Sequence, residues 1–355
     1  MKVSVLIPYY NDRRFLRQAI ESVLVQTFRD FELVLVNHAS TDGSRALARS
    51  FDDSRIVHVD MPVNHGAGGG LVMAEFLKVA RGEYVKFFCA DDVMRPDCLA
   101  TLVAYMESHG EISFAFGDLE YVDAKGRPLD AHWFEERPKF SKDLTEVDCL
   151  RLYAAGISVL PWIGSIVRRA VLQEVELDAT MVMMFDMSIW VQLLLKRRRL
   201  GFVDDIVAFY RVHEEQVSAL AHLAEALCLS GCERQVFHRH FQRCPDIALL
   251  KEVFSDSDFV RRIQVAEDVP LAVALRYVED DQYAAWAYQY VHDVLQDPVT
   301  RTEAEARMGI TVSGFRDLLR GHAEAVHTAS RWVRFRDRWL LFRRPKGAEF
   351  GRYSL

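Results

Sequence analysis

Two adjacent carboxylates, Asp91 and Asp92, directly follow an apolar run at residues 84–88. Carboxylates this close repel each other unless solvent or a cation neutralises them. Mg²⁺ and Mn²⁺ take oxygen ligands from one or two carboxylates together with substrate phosphates. The pair therefore predicts a divalent metal bridging a diphosphate. The alternative is the start of a helix, in which Asp92 or Asp97 caps free backbone N–H groups near Pro96.

The acids lie in a regular alternation of strand and helix patterns. Apolar runs predict strands, and apolar residues at helical spacing predict helices between them: strands at 3–7, 31–36, 56–59 and 84–88, helices at 15–24, 42–50 and 71–80. Such alternation implies a mostly parallel sheet covered by helices on both faces. Ligands bind such sheets beyond the carboxyl ends of the strands. We therefore expect one site to be built from residues 8–12, 37–42, 61–70 and 89–92.

Composition places the chain among folded globular proteins. It has 355 residues, half of them hydrophobic, a net charge of −7 and six cysteines. This length predicts a principal domain with a smaller appendage. The negative charge argues against nucleic acid as a partner. The apolar start is too short for a signal peptide or membrane span, so we expect a cytoplasmic protein with reduced thiols.

Further along the chain the patterns change. Residues 114–123 predict more sheet, and residues 125–138 predict an irregular excursion. From about residue 220 the pattern becomes helical, which predicts a domain boundary there. The cysteines and histidines of this region could bind zinc, but their spacing matches no common zinc module and packing is favoured. They are Cys228, Cys232, His238, His240 and Cys244.

Residues 331–344 interleave arginines with tryptophan, phenylalanine and leucine. A basic amphipathic segment of this kind can lie on an anionic bilayer, which would place the protein at the inner face of the membrane. The alternative is a helix docked on the rest of the protein with its arginines exposed.

Several motifs recur in a familiar order and spacing. They occupy residues 3–11, 15–27, 31–44, 64–66, 82–86, 91–96, 185–190 and 210–213. Together they resemble the family 2 glycosyltransferases, an inverting family of the GT-A fold. The resemblance implies an α/β GT-A catalytic domain at residues 1–220 and a helical extension at 221–355. It also implies transfer of a sugar from a nucleotide-sugar donor to an acceptor hydroxyl, with Mn²⁺ or Mg²⁺ as cofactor.

The resemblance assigns roles to individual residues. Asp91 falls on the last aspartate of the DxD motif and would coordinate the metal, joined by Asp92 and His213. Asp186 falls on the general base, which takes the proton of the attacking hydroxyl. The alternative for Asp186 is an exposed acid in a first helical turn, stabilised by the helix dipole. Arg211 would hold the diphosphate, because a guanidinium suits phosphate geometry; the alternative is a surface arginine.

Donor and acceptor contacts follow from the same resemblance. The donor set is Pro8, Tyr10, Asn37, His38, Asn64, Gly66, Asp91 and Arg211, and the acceptor set is Trp162, Gly164 and Ser165. Trp162 offers an apolar face for a sugar ring, although a core tryptophan is the commoner case.

The chain departs from the family pattern at three residues. Asn37 and His38 replace two aspartates, one of which accepts a hydrogen bond from the base of a uridine donor. An amide or imidazole can accept but can also donate, so the base preference is open, with a UDP-sugar as first expectation. Cys89 replaces the first acid of the DxD motif. We interpret it as a buried strand-end residue and not a ligand, because a thiol prefers softer metals than Mg²⁺.

The predicted pathway is synthesis of a surface polysaccharide or glycoconjugate, with a glycan or lipid-linked acceptor. The helical extension would contact the acceptor, form a homo-oligomer interface or contact a membrane. Two rivals stay open. A nucleotidyltransferase that makes sugar nucleotides would normally carry a glycine-rich loop after the first strand, where this chain has residues 8–11. A module that kept the fold but lost turnover would bind a sugar or a partner without catalysis.

Overall fold

The computed structural model describes residues 1–65, 69–132, 144–182, 184–216, 233, 237–278 and 284–320. The chain divides into two compact units, residues 1–255 and 256–355. The first unit runs past the boundary expected near residue 220. Within it, Arg151 donates to the carbonyl oxygen of Glu252 at 2.8 Å, which ties the end of this unit to its earlier helices. The predicted functional division at residue 220 stays a prediction.

The first unit is built on one mixed sheet, in which the described residues form nine strands. A parallel set has the order β3-β2-β1-β4 and consists of β1 (Val3–Tyr9), β2 (Phe31–Asn37), β3 (Ile56–Asp60) and β4 (Tyr84–Phe87). The sheet continues through β5 (Val93–Met94), β6 (Phe114–Asp123), β7 (Pro128–His132), β8 (Ser165–Arg168) and β9 (Leu200–Val212). Strand β8 is antiparallel to β4 and β6, β9 is parallel to β6, and β5 is antiparallel to β9.

Helices connect these strands. They are α1 (Leu16–Leu24), α2 (Ser44–Ala48), α3 (Gly69–Val79), α4 (Cys98–Ser108), α5 (Glu146–Ala154), α6 (Arg169–Leu172), α7 (Phe185–Leu195) and α8 (Ile247–Val253). The second unit contains α9 (Asp258–Arg261), α10 (Val269–Val278), α11 (Ala284–Gln296) and α12 (Pro298–Met308). In the described segments, no helix is long and apolar enough to cross a bilayer.

Burial explains why the strands form where the apolar runs predict them. Strand β2 is buried along its whole length, as a strand covered on both faces must be. Helix α1 buries Leu16, Ala19, Ile20 and Val23 against the same core and leaves Arg17, Gln18 and Glu21 exposed. A fully buried aliphatic side chain contributes about 1.5–3 kcal/mol, so this core fixes the strand ends that carry the polar loops.

The α/β fold expected from the sequence is confirmed, with one local correction. Residues 125–138 were expected to be irregular, but β7 pairs with β6 through a tight turn. The turn forms because Gly126 adopts a φ of +79° and the Asp123 carboxylate accepts the backbone N–H groups of Lys125 and Arg127. Residues 133–138, the cysteines Cys228 and Cys232, and the basic stretch 331–344 lie outside the described residues.

Candidate functional site

A cavity of about 760 Å³ opens at the carboxyl ends of the parallel strands, where the fold predicts a ligand site. It brings together Asp91, from the loop after β4, and Asp186, from the first turn of α7. Its lining also includes several predicted site residues, namely Pro8, Tyr10, His38, Asn64, Asp92 and Trp162. Gly66 lies outside the described residues. The two acids with assigned chemical roles therefore share one cleft.

Asp91 and Asp92 differ in their surroundings. The Asp91 side chain is 25% exposed, and one of its oxygens lies 3.0 Å from Nε2 of His213. Asp92 is buried, and its carboxylate accepts the backbone N–H of Arg211 at 2.8 Å. Burial and the neighbouring charge of Asp91 raise the pKa of Asp92 well above its usual range. A divalent cation would relieve this repulsion, so the two carboxylates fit Mn²⁺ or Mg²⁺. His213, the third predicted ligand, contacts the Asp91 carboxylate through Nε2.

Cys89 lies in the same cluster, although its chemistry differs. The sulfur and one oxygen each of Asp91 and Asp92 fall within 4.8 Å of one another. Burial, followed by the charges of the nearby acids, raises the pKa of the Cys89 thiol well above its usual range. The group therefore stays a neutral thiol, which is a poor ligand for a hard cation. Cys89 is only half-buried and lines the cavity.

Asp12 is a further carboxylate of the cavity that the sequence analysis did not single out. Burial raises its pKa to about 6, with smaller contributions from Asp91 and Asp42, against the hydrogen bond that the backbone N–H of Tyr10 donates at 2.8 Å. The signal in the sequence was its position directly after the first strand, where ligand contacts are expected.

Asn11 joins the two loops that form this side of the cavity. Its side-chain oxygen accepts the backbone N–H groups of Thr41 at 2.8 Å and Asp42 at 3.3 Å. Its own N–H donates to the hydroxyl of Ser40 at 3.1 Å. Asn11 adopts a φ of +57°, a conformation that asparagine tolerates better than most residues. The loops after β1 and β2 are thus fixed to each other.

Asp186 occupies the first turn of α7, as the sequence predicts, but it lines the cavity instead of standing on an open surface. One of its oxygens accepts the backbone N–H of Met187 at 2.8 Å. Burial raises the pKa of Asp186 to about 6, more than its backbone hydrogen bonds lower it. A carboxylate with a pKa near neutrality is suited to take up a proton from a substrate.

His38 and Asn37 have most of their hydrogen-bonding capacity used within the fold. The Asn37 amide donates to Asp60 at 2.9 Å, and its oxygen accepts the N–H of Ser40 at 3.0 Å. Nε2 of His38 accepts the backbone N–H of His65 at 3.0 Å, and burial lowers the pKa of the ring. The neutral His38 therefore carries its proton on Nδ1. His38 lines the cavity and Asn37 does not.

Arg211 has a different position from the one that a diphosphate contact requires. It is 2% exposed and is not part of the cavity lining. Its guanidinium donates to the carbonyl oxygen of Asp91 and to the side chain of Gln18, each at 2.7 Å, and to the carbonyl oxygens of Asp123 and Ala124. A guanidinium that is engaged on all sides holds the backbone of the acidic loop in place. The geometry thus favours a structural contact for Arg211.

Of the predicted acceptor residues, Trp162 alone lines the cavity. Its ring stacks on Phe87, with centroids 3.9 Å apart and planes 6° from parallel. Ser165 is buried and its hydroxyl donates to the carbonyl oxygen of Trp162 at 2.6 Å. A Cβ at Gly164 would lie 2.6 Å from the carbonyl oxygen of Gly117, so this glycine allows two backbones to meet. Gly164 and Ser165 therefore stabilise the turn that carries Trp162.

This arrangement of strands, acidic loop and cleft agrees with comparisons to known proteins. Residues 4–175 match the family model for glycosyl transferase family 2. This match identifies residues 4–175 as a glycosyltransferase family 2 domain. The match ends before α7 and β9, so the placement of Asp186 and His213 rests on the geometry above and on the resemblance of their motifs.

Two curated relatives each match less than half of the chain. An uncharacterized glycosyltransferase of Nostoc sp. is 34% identical over 149 residues, 41% of this chain and 45% of the relative. A poly(ribitol-phosphate) beta-glucosyltransferase of Bacillus spizizenii is 27% identical over 132 residues, 36% of this chain and 20% of the relative. The first of these matches thus spans about half the length of the relative.

A solved structure extends the likeness across most of the chain. The structure of S. aureus TarS 1–349 in complex with UDP-GlcNAc superposes with a TM-score of 0.57 at 19% identity, covering 82% of this chain and 92% of that chain. At this identity the likeness shows the fold. The GT-A architecture expected for the family 2 domain is confirmed.

Proposed function

We propose that this protein is an inverting glycosyltransferase that moves a sugar from a nucleotide-sugar donor to an acceptor hydroxyl. The observation that carries the proposal is the meeting of Asp91 and Asp186 in one cavity at the carboxyl ends of the strands. One acid belongs to a cluster suited to a metal, and the other has a pKa suited to a base. The family 2 domain supports the same reading.

Each residue has a definite task in this reaction. Asp91, with Asp92 and His213, would hold Mn²⁺ or Mg²⁺, which offsets the charge that develops on the departing nucleotide diphosphate. Asp186 accepts the proton of the acceptor hydroxyl while the hydroxyl oxygen attacks the anomeric carbon of the donor sugar. A single displacement of this kind inverts the anomeric configuration. Burial raises the pKa of Asp186 to about 6, so its proton affinity suits this step.

We propose a UDP-sugar as first donor and a surface polysaccharide or glycoconjugate as product. TarS was solved with UDP-GlcNAc, and the Bacillus spizizenii relative is named for transfer of glucose to poly(ribitol-phosphate). The acceptor is a glycan or a lipid-linked glycan, and Trp162 offers a ring face to it. His38 faces the cavity with a donor on Nδ1, so the base preference is expected to differ from that of relatives with an acid there.

The test is nucleotide release and sugar transfer from a donor panel of UDP, GDP, dTDP and CDP sugars, each with Mn²⁺, with Mg²⁺ and with EDTA. We expect metal-dependent turnover of at least one donor and loss of turnover in Asp91→Asn. The exposed Asp52 provides the matched control, because Asp52→Asn removes one carboxylate charge from a residue that does not line the cavity. Turnover that survives EDTA and Asp91→Asn contradicts the proposal.

The two rival functions predict different products. A non-catalytic module binds a nucleotide or sugar but releases no product from any donor. A nucleotidyltransferase instead forms a sugar nucleotide and pyrophosphate from a nucleoside triphosphate and a sugar phosphate. Residues 8–11, at the end of β1 and the start of the following loop, contain no glycine, which disfavours the second rival.

A further inference from the structure

The start of helix α7 is held by a residue from a distant part of the chain. Its N-cap residue, Met184, makes no capping hydrogen bond with its own side chain. Instead, the Glu233 carboxylate accepts the backbone N–H groups of Val182 and Met184, each at 2.7 Å. Glu233 is 7% exposed and lies 51 and 49 residues further along the chain than these partners. It therefore fixes the backbone of the N-cap residue and of the segment that leads into α7.

These two bonds act on the part of the helix that faces the cavity. Val182, Phe185 and Asp186 all line it. A hydrogen bond to a charged group is stronger than one between neutral groups, and a carboxylate at a helix N-terminus is also favoured by the helix dipole. On the opposite side, a Cβ at Gly69 would lie 2.4 Å from the Phe185 ring, so the segment is packed tightly there as well. The first turn of α7 thus has little freedom.

We infer that Glu233 is a positioning residue for Asp186: it fixes the first turn of α7 so that the Asp186 carboxylate faces the cavity, and its charge strengthens Asp186 as a proton acceptor. This inference rests on the proposed function of Asp186 as general base. It adds a residue from outside the segment that matches the family model.

The charged and titratable groups around Asp186 support this assignment. Glu233 raises the pKa of Asp186, in the same direction as burial. Tyr153, on α5, stays neutral because burial and the charge of Asp186 raise its own pKa well above the usual range. His240, which contacts Ser188 at 2.8 Å in the same helix, is neutral because burial lowers its pKa to about 4. In the described part of the chain, Glu233 is thus the negative charge that acts on Asp186.

The experiment compares Glu233→Gln with Glu111→Gln, which neutralises an exposed glutamate of the same unit. The pKa of Asp186 is read from its carboxyl ¹³C shift, assigned by its absence in Asp186→Asn. We expect Glu233→Gln to lower this pKa by roughly half a unit, since one like charge is removed. We also expect kcat at pH 7 to fall about tenfold with the donor KM within about twofold, because a displaced base costs rate and not binding.

The outcomes separate this inference from the proposed function. A folded Glu233→Gln protein with the wild-type Asp186 titration overturns the inference, whether or not the protein transfers sugar. Absence of transfer by the wild type refutes the proposed function alone, since the titration needs no turnover. Glu233→Asp keeps the negative charge, but its shorter side chain moves the carboxylate away from the N–H groups of Val182 and Met184. We therefore expect a lower kcat than in the wild type, while the pKa of Asp186 stays raised. Wild-type kcat in Glu233→Asp contradicts the positioning role.

Discussion

The pH dependence of transfer tests the environment of Asp186. The change is a shift of the assay from pH 7 to pH 5, with donor, acceptor and Mn²⁺ all saturating. A general base works only in its ionised form, so kcat follows the ionised fraction of Asp186. Burial raises the pKa of this group to about 6. We therefore expect the acidic limb of the kcat profile to have its midpoint near pH 6.

The size of the effect follows from that value. A carboxyl of pKa about 6 is about nine tenths ionised at pH 7 and about one tenth ionised at pH 5, so kcat should fall about tenfold. An exposed aspartate of ordinary pKa, about 3.9, would still be about nine tenths ionised at pH 5, and kcat would hardly change. The two cases differ by nearly an order of magnitude.

The assay is initial-rate nucleotide release between pH 4.5 and 8, with far-UV circular dichroism confirming that the protein stays folded. Asp12 shares the cavity and also has a pKa of about 6, so its titration must be separated. We expect the midpoint of the kcat limb to persist in Asp12→Asn, because Asp12 lies on the donor side with Tyr10. A midpoint below about pH 4.5 in the wild type, or one that vanishes in Asp12→Asn, refutes the assignment to Asp186.

Two further predictions concern the donor pocket and the packing around it. His38→Asp supplies a hydrogen-bond acceptor where the wild type has a donor on Nδ1. We therefore expect the affinity for UDP relative to CDP, measured by calorimetry, to rise about tenfold. An unchanged ratio contradicts a contact between this residue and the nucleotide base. Gly70→Ala places a Cβ 2.2 Å from the carbonyl oxygen of Asp178, so we expect the free energy of unfolding in urea to fall by about 1–3 kcal/mol. Gly110→Ala is the matched control, because its Cβ meets nothing within 4 Å. Equal stability of the two variants contradicts the close packing at Gly70.

Much of the first unit was predictable because its strands are continuous apolar runs. The run at Phe31–Asn37 is a buried strand along its whole length, and no tertiary contact is needed to recognise such a pattern. The site followed from the same regularity, because parallel strands bring their carboxyl ends to one edge. Asp91 and Asp186 meet there although they are far apart in sequence.

Two buried basic side chains, Arg211 and Lys86, have hydrogen-bond partners that the sequence pattern does not reveal. Arg211 pairs with Gln18 and with the Asp91 carbonyl, at separations of 193 and 120 residues, so its sequence context favoured a ligand contact that the fold does not offer. Lys86 interrupts an apolar run, yet it is fully buried and donates to the carbonyl oxygens of Phe87 and Ile163. Periodicity reports which face is apolar; it carries no information on which polar groups satisfy each other.

The most direct test of the account measures binding and chemistry separately in Asp91→Asn and Asp186→Asn. Calorimetry gives the Kd for UDP in the presence of Mn²⁺, and single-turnover transfer gives the chemical rate. We expect Asp91→Asn to lose the Mn²⁺-dependent part of UDP binding. We expect Asp186→Asn to bind within about threefold of the wild type while its transfer rate falls at least about 100-fold. Ordinary transfer by Asp186→Asn, or wild-type Mn²⁺-dependent binding by Asp91→Asn, would contradict the division of labour between the two acids.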